Sequence, residues 1–199
     1  MKIPLQEPFG EDLDLLCNDW GKSLFDNING GEFRRLYQTV FPVLFRVAYR
    51  IAGSEEAAED LCQDAFFKLY EKNMTFPSPD EAKYWLIRVV KNASLNYAKR
   101  KQRERKAYQK AFKEDTRTVE TGEHFTLKNE SREEILQAME KLQENLKIVL
   151  VLKEYGELNY KEIGRALGIS EGNVKVRVFR ARERLAAILN SGKDGAYVS

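Results

Sequence analysis

Two short blocks of hydrophobic positions within residues 159–189 recur at steps of three or four, which predicts two α-helices with a tight turn between them. Asn159 is placed to cap the first helix, and Glu162 stands three residues later, as a capping box requires. Gly168 is expected to end that helix and Ser170 to cap the second. This pattern is typical of a helix-turn-helix, whose second helix enters the DNA major groove.

The second of these helices has one apolar and one polar side. The apolar side, predicted to be buried, comprises Val174, Val178, Ala181 and Leu185. The opposite side comprises Asn173, Val176, Arg177, Arg180 and Arg184. A surface helix with a solvated basic face would share this charge pattern. The tight turn, the two caps and the lack of acid on the outer face favour DNA binding instead.

Longer hydrophobic stripes in the first half of the chain predict further helices. One runs from Glu32 to Ile51; Pro42 is expected to kink or split it near Phe41, and Gly53 to stop it. The apolar stripe of the next helix comprises Ala58, Leu61, Cys62, Ala65, Phe66 and Leu69. Its outer side carries Glu59, Asp60, Gln63 and Asp64.

A loop with two prolines, residues 73–79, precedes the third helix. Ser78 is predicted to be the N-cap and Pro79 the first helical residue. Phe76, which stands before a proline, is the best candidate for an exposed aromatic ring that stacks on a base. The helix is expected to run on through residues 83–105.

This third helix has two stripes of different chemistry. The side predicted to face the core carries Trp85, Leu86, Val89 and Ala93. The other stripe carries Arg88, Asn92, Asn96, Lys99 and Arg103. Asparagine is a poor residue for a helix interior, so two of them one turn apart indicate a role beyond helix formation. Amides and cations together suit nucleic-acid bases and backbone, with plain surface filler as the alternative.

Polar residues dominate from Ala107 to Glu130, which predicts a flexible linker without a site of its own. Ser131 and Glu134 are expected to cap a helix that continues to Gly156. Its core positions are Ile135, Met139, Leu142, Leu146 and Val149. We therefore predict an all-α chain of two helical modules joined by a flexible linker, the C-terminal module a helix-turn-helix.

Composition and charge narrow the possible functions. The 199 residues are 43% hydrophobic and 32% charged, with a net charge of +2. Cations cluster between Lys99 and Lys113, whereas acids dominate residues 1–30. Cys17 and Cys62 lack the spacing of metal ligands, and the single histidine lies in the predicted linker. We expect no catalytic residues, metal or cofactor, and a cytoplasmic protein without a signal peptide or membrane span.

Three stretches resemble the extracytoplasmic-function (ECF) sigma factors, small members of the sigma-70 family of bacterial RNA polymerase. AAEDLCQDAFFKLY (57–70) and YWLIRVVKNASLNYAKR (84–100) resemble region two, and residues 138–185 resemble region four. The resemblance implies an N-terminal extension, region two, a linker, region four and a tail, at residues 1–23, 24–106, 107–130, 131–190 and 191–199. It implies a polymerase subunit that works by binding.

The resemblance also implies which residues make contacts. Core RNA polymerase would be bound through Glu59, Asp60, Gln63 and Asp64. The minus-ten strand would meet Phe76, Ser78, Arg88, Asn92, Asn96, Lys99, Arg100 and Arg103. The minus-thirty-five duplex would meet Ser170, Asn173, Lys175, Val176, Arg177, Phe179 and Arg180. The implied partners are core polymerase (its clamp helices and flap), promoter DNA and an anti-sigma factor, which would hold the protein at the membrane. The resemblance implies no small-molecule substrate.

Two departures from the family pattern and two alternatives remain. A Leu-Pro pair is usual where Leu142 and Gln143 stand, so a less sharply bent start of region four is expected. Val176 replaces a small polar residue, which would favour contact with a thymine methyl group. A stand-alone helix-turn-helix regulator would leave the asparagine stripe unexplained. A nucleic-acid-processing enzyme would need a metal or acid/base cluster that the sequence lacks.

Overall fold

The described part of the chain is entirely helical. A computed structural model describes residues 31–72, 74, 76–111 and 127–194. Its helices are α1 (Gly31–Ala52), α2 (Glu55–Glu71), α3 (Pro79–Ala111), α4 (Leu127–Glu140), α5 (Glu144–Glu154), α6 (Tyr160–Leu167) and α7 (Glu171–Asp194). The all-α prediction with two helical modules is confirmed, α1–α3 forming the first and α4–α7 the second. The N-terminal extension, Cys17, His124 and the middle of the predicted linker lie outside the described residues.

Helix α1 forms the centre of the first module and packs against both α2 and α3. Its aromatic side chains cluster there: the ring centroids of Tyr37 and Phe66 are 4.8 Å apart, and those of Phe41 and Phe45 are 6.1 Å apart. Pro42 lies inside one continuous helix, so the alternative of a split is wrong. A proline costs a helix about 3 kcal/mol. Burial of each neighbouring aromatic ring contributes about 1.5–3 kcal/mol, so together they outweigh that cost.

The buried side of α3 is rotated relative to the prediction. Leu86, Ile87, Val90 and Ser94 are buried, whereas Trp85, Val89 and Ala93 are only half-buried. The reason is that α3 contacts three other helices, α1, α2 and α6, so its apolar surface is wider than one stripe. In α2, Cys62 fills a buried core position as expected, while Leu61 is half-buried.

The predicted helix over residues 131–156 is wrong in two respects. It begins at Leu127, so Ser131 lies inside α4 and not at its N-cap, and it breaks between Glu140 and Glu144. Gln143 has extended backbone angles there, φ −59° and ψ 142°. The break therefore forms without the proline that the family usually carries. It allows Met139, Leu142 and Val149 all to be buried, and this apolar burial offsets the lost helical hydrogen bonds.

Two helices extend past their predicted ends. Helix α3 continues to Ala111 and α7 to Asp194, so the start of the predicted linker and of the predicted tail is helical. Lysine, arginine and glutamine are good helix formers and fill residues 99–110, which explains the longer α3. None of the helices described is both long and apolar enough to cross a membrane.

The two modules lie against each other and share one continuous core. Arg46 of α1 donates a hydrogen bond from Nε to the carbonyl oxygen of Tyr155 at 2.9 Å. Gly156 fits closely beside α1, because a Cβ added there would lie 3.3 Å from Val47 Cγ2. On the other side of the core, α3 contacts α6. The linker joins modules that are docked in this structure.

Candidate nucleic-acid interface

The helix-turn-helix forms as the sequence predicts. The Oδ1 atom of Asn159 accepts a hydrogen bond from the N–H of Glu162 at 2.9 Å, and Oε2 of Glu162 accepts one from the N–H of Asn159 at 2.8 Å. Gly168 ends α6 with φ 70°, in the left-handed region. The Ser170 hydroxyl accepts a hydrogen bond from the N–H of Asn173 at 3.3 Å and caps α7. The turn is thus held at both ends by side chains.

Gly164, inside α6, is a residue that the sequence analysis missed. A Cβ atom there would lie 2.7 Å from the carbonyl oxygen of Ile169 and 3.6 Å from the N–H nitrogen of Glu171. The chain folds back onto the helix at this point, and only hydrogen fits between them. The sequence contained a signal for this close approach. A glycine inside a short helix costs about 1 kcal/mol relative to alanine, so its presence there indicates close packing.

The outer face of α7 offers several kinds of contact. Val176 and Phe179 are 47% and 63% exposed, which is high for large apolar side chains. Arg180 is also exposed, and Arg177 donates a hydrogen bond from Nε to Asn173 Oδ1 at 3.2 Å. Guanidinium groups suit guanine edges, and apolar groups suit thymine methyl groups. These side chains lie on the side of α7 that would face a major groove: Asn173, Val176, Arg177, Phe179 and Arg180.

Lys175 forms an ion pair along the same helix. Its Nζ atom lies 2.8 Å from Oε1 of Glu171, one turn earlier. The hydrogen bond with Glu171, together with its charge, raises the pKa of Lys175. The ammonium group lies on the exposed surface of α7 and is available to a phosphate in place of the carboxylate.

The loop before α3 differs from the prediction at its aromatic residue. Phe76 is half-buried, with its ring centroid 6.0 Å from that of Trp85, so the expectation of an exposed ring is wrong. The ring packs on α3 because the loop folds over that helix. Together with Ser78 it lines a cavity of about 740 Å³ between α1, α2 and the start of α3. The Ser78 hydroxyl accepts a hydrogen bond from the N–H of Glu81 at 3.4 Å, which confirms the N-cap.

The stripe on α3 is divided between solvent and the second module. Asn92 and Asn96 are exposed. Arg88 donates hydrogen bonds from Nε and Nη2 to two carbonyl oxygens in the last turn of α6, at 3.2 and 3.0 Å. Lys99 Nζ lies 2.7 Å from Oε2 of Glu144. Two of the predicted DNA-facing cations are therefore engaged by the second module in this structure.

A further ion pair at the same junction joins α3 to the helix-turn-helix. Lys83 Nζ lies 3.0 Å from Oε1 of Glu162. Partial burial opposes ionisation of Glu162, but the hydrogen bond from the N–H of Asn159 and the nearby Lys83 outweigh it and lower the pKa of the carboxyl group. Glu162 thus holds the α6 cap and the module junction at once. The spacing of Asn159 and Glu162 in the sequence indicates the first role only.

One groove of about 700 Å³ between α2 and α3 brings together residues predicted to serve different partners. Asp60 and Asp64, predicted to bind polymerase, line one wall. Asn96, Arg100 and Arg103, predicted to meet the minus-ten strand, line the other. The remaining two residues of the predicted polymerase face, Glu59 and Gln63, are joined by a side-chain hydrogen bond of 3.1 Å.

Two exposed aromatic side chains of α2 were missed. Phe67 and Tyr70 are 53% and 48% exposed. They follow Gln63 at steps of four and three residues, so they extend the same helix face. Exposed aromatic rings are typical anchors of protein–protein interfaces. The signal was present in the sequence, because neither position falls on the apolar stripe.

Comparison with known proteins gives consistent matches to both modules. Residues 36–104 match the family model of Sigma-70 region 2, and residues 132–185 match that of Sigma-70, region 4. The chain is 30% identical over 165 residues to the ECF RNA polymerase sigma factor SigM of Bacillus subtilis (strain 168). That match covers 79% of this chain and 94% of the relative.

Two solved structures share the fold. One is the sigma factor RpoE in complex with the anti-sigma factor NepR from Bartonella quintana, with a TM-score of 0.55 and 21% identity, covering 81% of this chain and 98% of that one. The other is CnrH in complex with the cytosolic domain of CnrY, with a TM-score of 0.59 and 19% identity, covering 89% of this chain and 96% of that one.

Proposed function

The chain belongs to the extracytoplasmic-function sigma factors of bacterial RNA polymerase, and we propose that it binds core polymerase through its first module and promoter DNA through both. The observation that carries this proposal is the presence on one chain of both sigma modules, in the family's order. It acts in the bacterial cytosol, where polymerase and promoters are found, and it works by binding without chemistry of its own.

The second module reads the minus-thirty-five duplex through the outer face of α7. Phosphates are met by Ser170 and Lys175, and base edges by Asn173, Val176, Arg177, Phe179 and Arg180. Arg180 is the residue best placed for a guanine, because it is exposed and makes no hydrogen bond or ion pair within the described part of the chain. A bidentate arginine–guanine contact is worth about 1–3 kcal/mol of discrimination.

The first module captures the minus-ten strand. Asn92 and Asn96 face solvent and are free to contact it, and the cavity beside Phe76 and Ser78 is large enough for one base turned out of the stack. The cations Arg88, Lys99, Arg100 and Arg103 would neutralise its phosphates. Extruding a base costs a few kcal/mol, which these contacts must offset.

The docked arrangement of the modules does not suit simultaneous binding of both elements. Arg88 and Lys99 reach the second module, so both must be released before they meet DNA. We infer that binding to core polymerase separates the modules and that an anti-sigma factor restrains them. The similar fold of the sigma factor RpoE, solved in complex with the anti-sigma factor NepR, supports the second inference.

Two measurements test the proposed function. The purified chain should associate with bacterial core polymerase and direct transcription from promoters that share an upstream motif pair; failure to associate contradicts the proposal. In that holoenzyme, Arg180→Gln should lose about 1–3 kcal/mol of preference for the wild-type minus-thirty-five sequence. Arg182→Gln is the matched control, because Arg182 lies on the same helix but is held in an ion pair with Glu154 at 2.8 Å.

Experiments on the same purified chain distinguish a stand-alone helix-turn-helix regulator from a sigma factor. The free chain is expected to bind promoter duplex poorly, and its binding should weaken steeply with salt. Nanomolar, salt-insensitive binding of duplex by the free chain would favour that alternative.

A further inference from the structure

The cationic stripe on α3 does not end where the predicted site ends. At 100° per residue, Lys106 and Lys110 lie within the same arc of about 80° as Asn92, Asn96 and Lys99. All twelve residues from 99 to 110 are exposed. Leu95 and Ala98 are the last residues of α3 that pack against the core, so the helix projects about 20 Å beyond it.

The chemistry of the stripe changes along its length. Its first half carries two amides, which can bond to bases as well as backbone. Beyond Asn96 the stripe carries only cations: Lys99, Arg103, Lys106 and Lys110. Arg100 pairs with Glu104 at 3.6 Å, and the cations of Arg100 and Lys101 lie over the Tyr97 ring, so these contacts stay within α3. Flexible ammonium groups without amides suit phosphates, and offer no direct base reading.

Geometry indicates which phosphates these are. From Asn96 to Lys110 the helix rises about 21 Å, which equals about six base pairs of duplex at 3.4 Å each. The C-terminal end of α3 leads along the chain to the second module, which is proposed to hold the upstream minus-thirty-five duplex. This order along the chain favours the duplex between the two promoter elements as the DNA that the projecting end meets.

We propose that Lys106 and Lys110 bind the phosphate backbone of this spacer duplex, in about the first six base pairs upstream of the minus-ten strand, without sequence preference. The inference rests on the proposed function. It assigns a DNA contact to Lys106, the last residue of the predicted region two, and to Lys110, which lies in the stretch predicted to be a linker without a site of its own.

The same helix supplies a matched control. Lys101 and Arg105 lie about 140–180° away from the centre of the stripe, on the opposite side of the projecting segment. Replacing either pair by glutamine removes two positive charges and keeps a good helix former. Both double variants then lose the same total charge and change helix propensity by similar amounts. They differ only in which face of α3 loses its cations.

The experiment measures promoter binding by reconstituted holoenzyme between 50 and 200 mM salt, values chosen because phosphate contacts are strongly salt-dependent there. Lys106→Gln/Lys110→Gln should make the slope of log Kobs against log salt shallower by about 1.8, at about 0.9 per lost phosphate contact. Lys101→Gln/Arg105→Gln should change it by much less. The difference should vanish on a single-stranded minus-ten oligonucleotide without upstream duplex, and changing the spacer sequence should leave it unaltered.

Several results would overturn the inference. These are equal slopes for the two double variants, a difference that persists on the single strand, or weaker binding of core polymerase by the Lys106/Lys110 variant alone. The last result would assign the stripe to the polymerase. If the wild-type chain forms holoenzyme and binds promoter while the variants give one of these results, the inference fails and the proposed function stands. If the wild-type chain forms no holoenzyme, both fail.

Discussion

Gly164 is the single residue on which the turn of the helix-turn-helix most depends. Because a Cβ there would meet the Ile169 carbonyl oxygen at 2.7 Å, Gly164→Ala must shift backbone. We expect it to lower the free energy of unfolding by about 1–3 kcal/mol, the usual cost of overpacking. Urea denaturation followed by circular dichroism would measure this loss.

Gly172→Ala is the control for that substitution. Gly172 lies in the first turn of α7, and a Cβ added there meets nothing within 4 Å. Alanine is the better helix former, so this variant should be neutral or more stable by up to about 1 kcal/mol. If both variants lost stability equally, close packing at Gly164 would not be the cause.

At the scale of single elements, the cap of α6 makes a prediction about pH. The pKa of Glu162 is lower in the folded chain than its usual value of about 4.3. Its contribution to stability is therefore present above that value and is lost as pH falls through the folded pKa. Unfolding free energies measured from pH 6 to pH 3 should show wild type and Glu162→Gln converging at the acid end, and curves that stay parallel over this range would contradict the role of Glu162.

The sequence predicted elements well where one local rule decided the outcome. Asn159, Gly168 and Ser170 bound the helix-turn-helix as expected, because caps and glycine turns depend on neighbouring residues alone. It failed at Gln143 and in the alternative of a split at Pro42, because tertiary burial overrides local preference at both positions. The predicted exposure of Phe76 failed for a related reason, because its ring packs on a helix that begins only after the loop ends.

At the scale of the whole molecule, the docking of the two modules was the least predictable feature. The ion pairs Lys83–Glu162 and Lys99–Glu144 join residues that are 79 and 45 positions apart in the sequence. In the sequence alone, each of these residues has the pattern of an ordinary surface residue. The candidate site residues were predicted from helix periodicity and from the resemblance to the sigma factors, and their roles stay predictions. The contacts of Arg88 and Lys99 with the second module depend on how the two modules are placed against each other, and helix periodicity carries no information about that placement.

These ion pairs make the docked state measurable. Lys99 Nζ is 2.7 Å from the Glu144 carboxylate, within reach of a zero-length reagent that joins amine to carboxylate. We expect this cross-link, and that between Lys83 and Glu162 at 3.0 Å, to form in the free chain and to disappear in the promoter complex, where Lys99 is released to phosphate.

Lys147 and Glu140 provide the internal standard, because both lie in the second module and Lys147 contacts Oε2 of Glu140. Arg50 of the first module contacts the other oxygen, Oε1, at 3.3 Å, so loss of docking leaves Oε2 to Lys147. Their cross-link should form equally in the free chain and in the promoter complex. Mass spectrometry of the digested protein would count all three products in one sample. If the two cross-links between modules survived in a complex that still initiates transcription, module separation would not be required. Arg88 would then stay on α6 while the promoter opens, and the exposed Asn92 and Asn96 alone would have to hold the minus-ten strand at that level of α3.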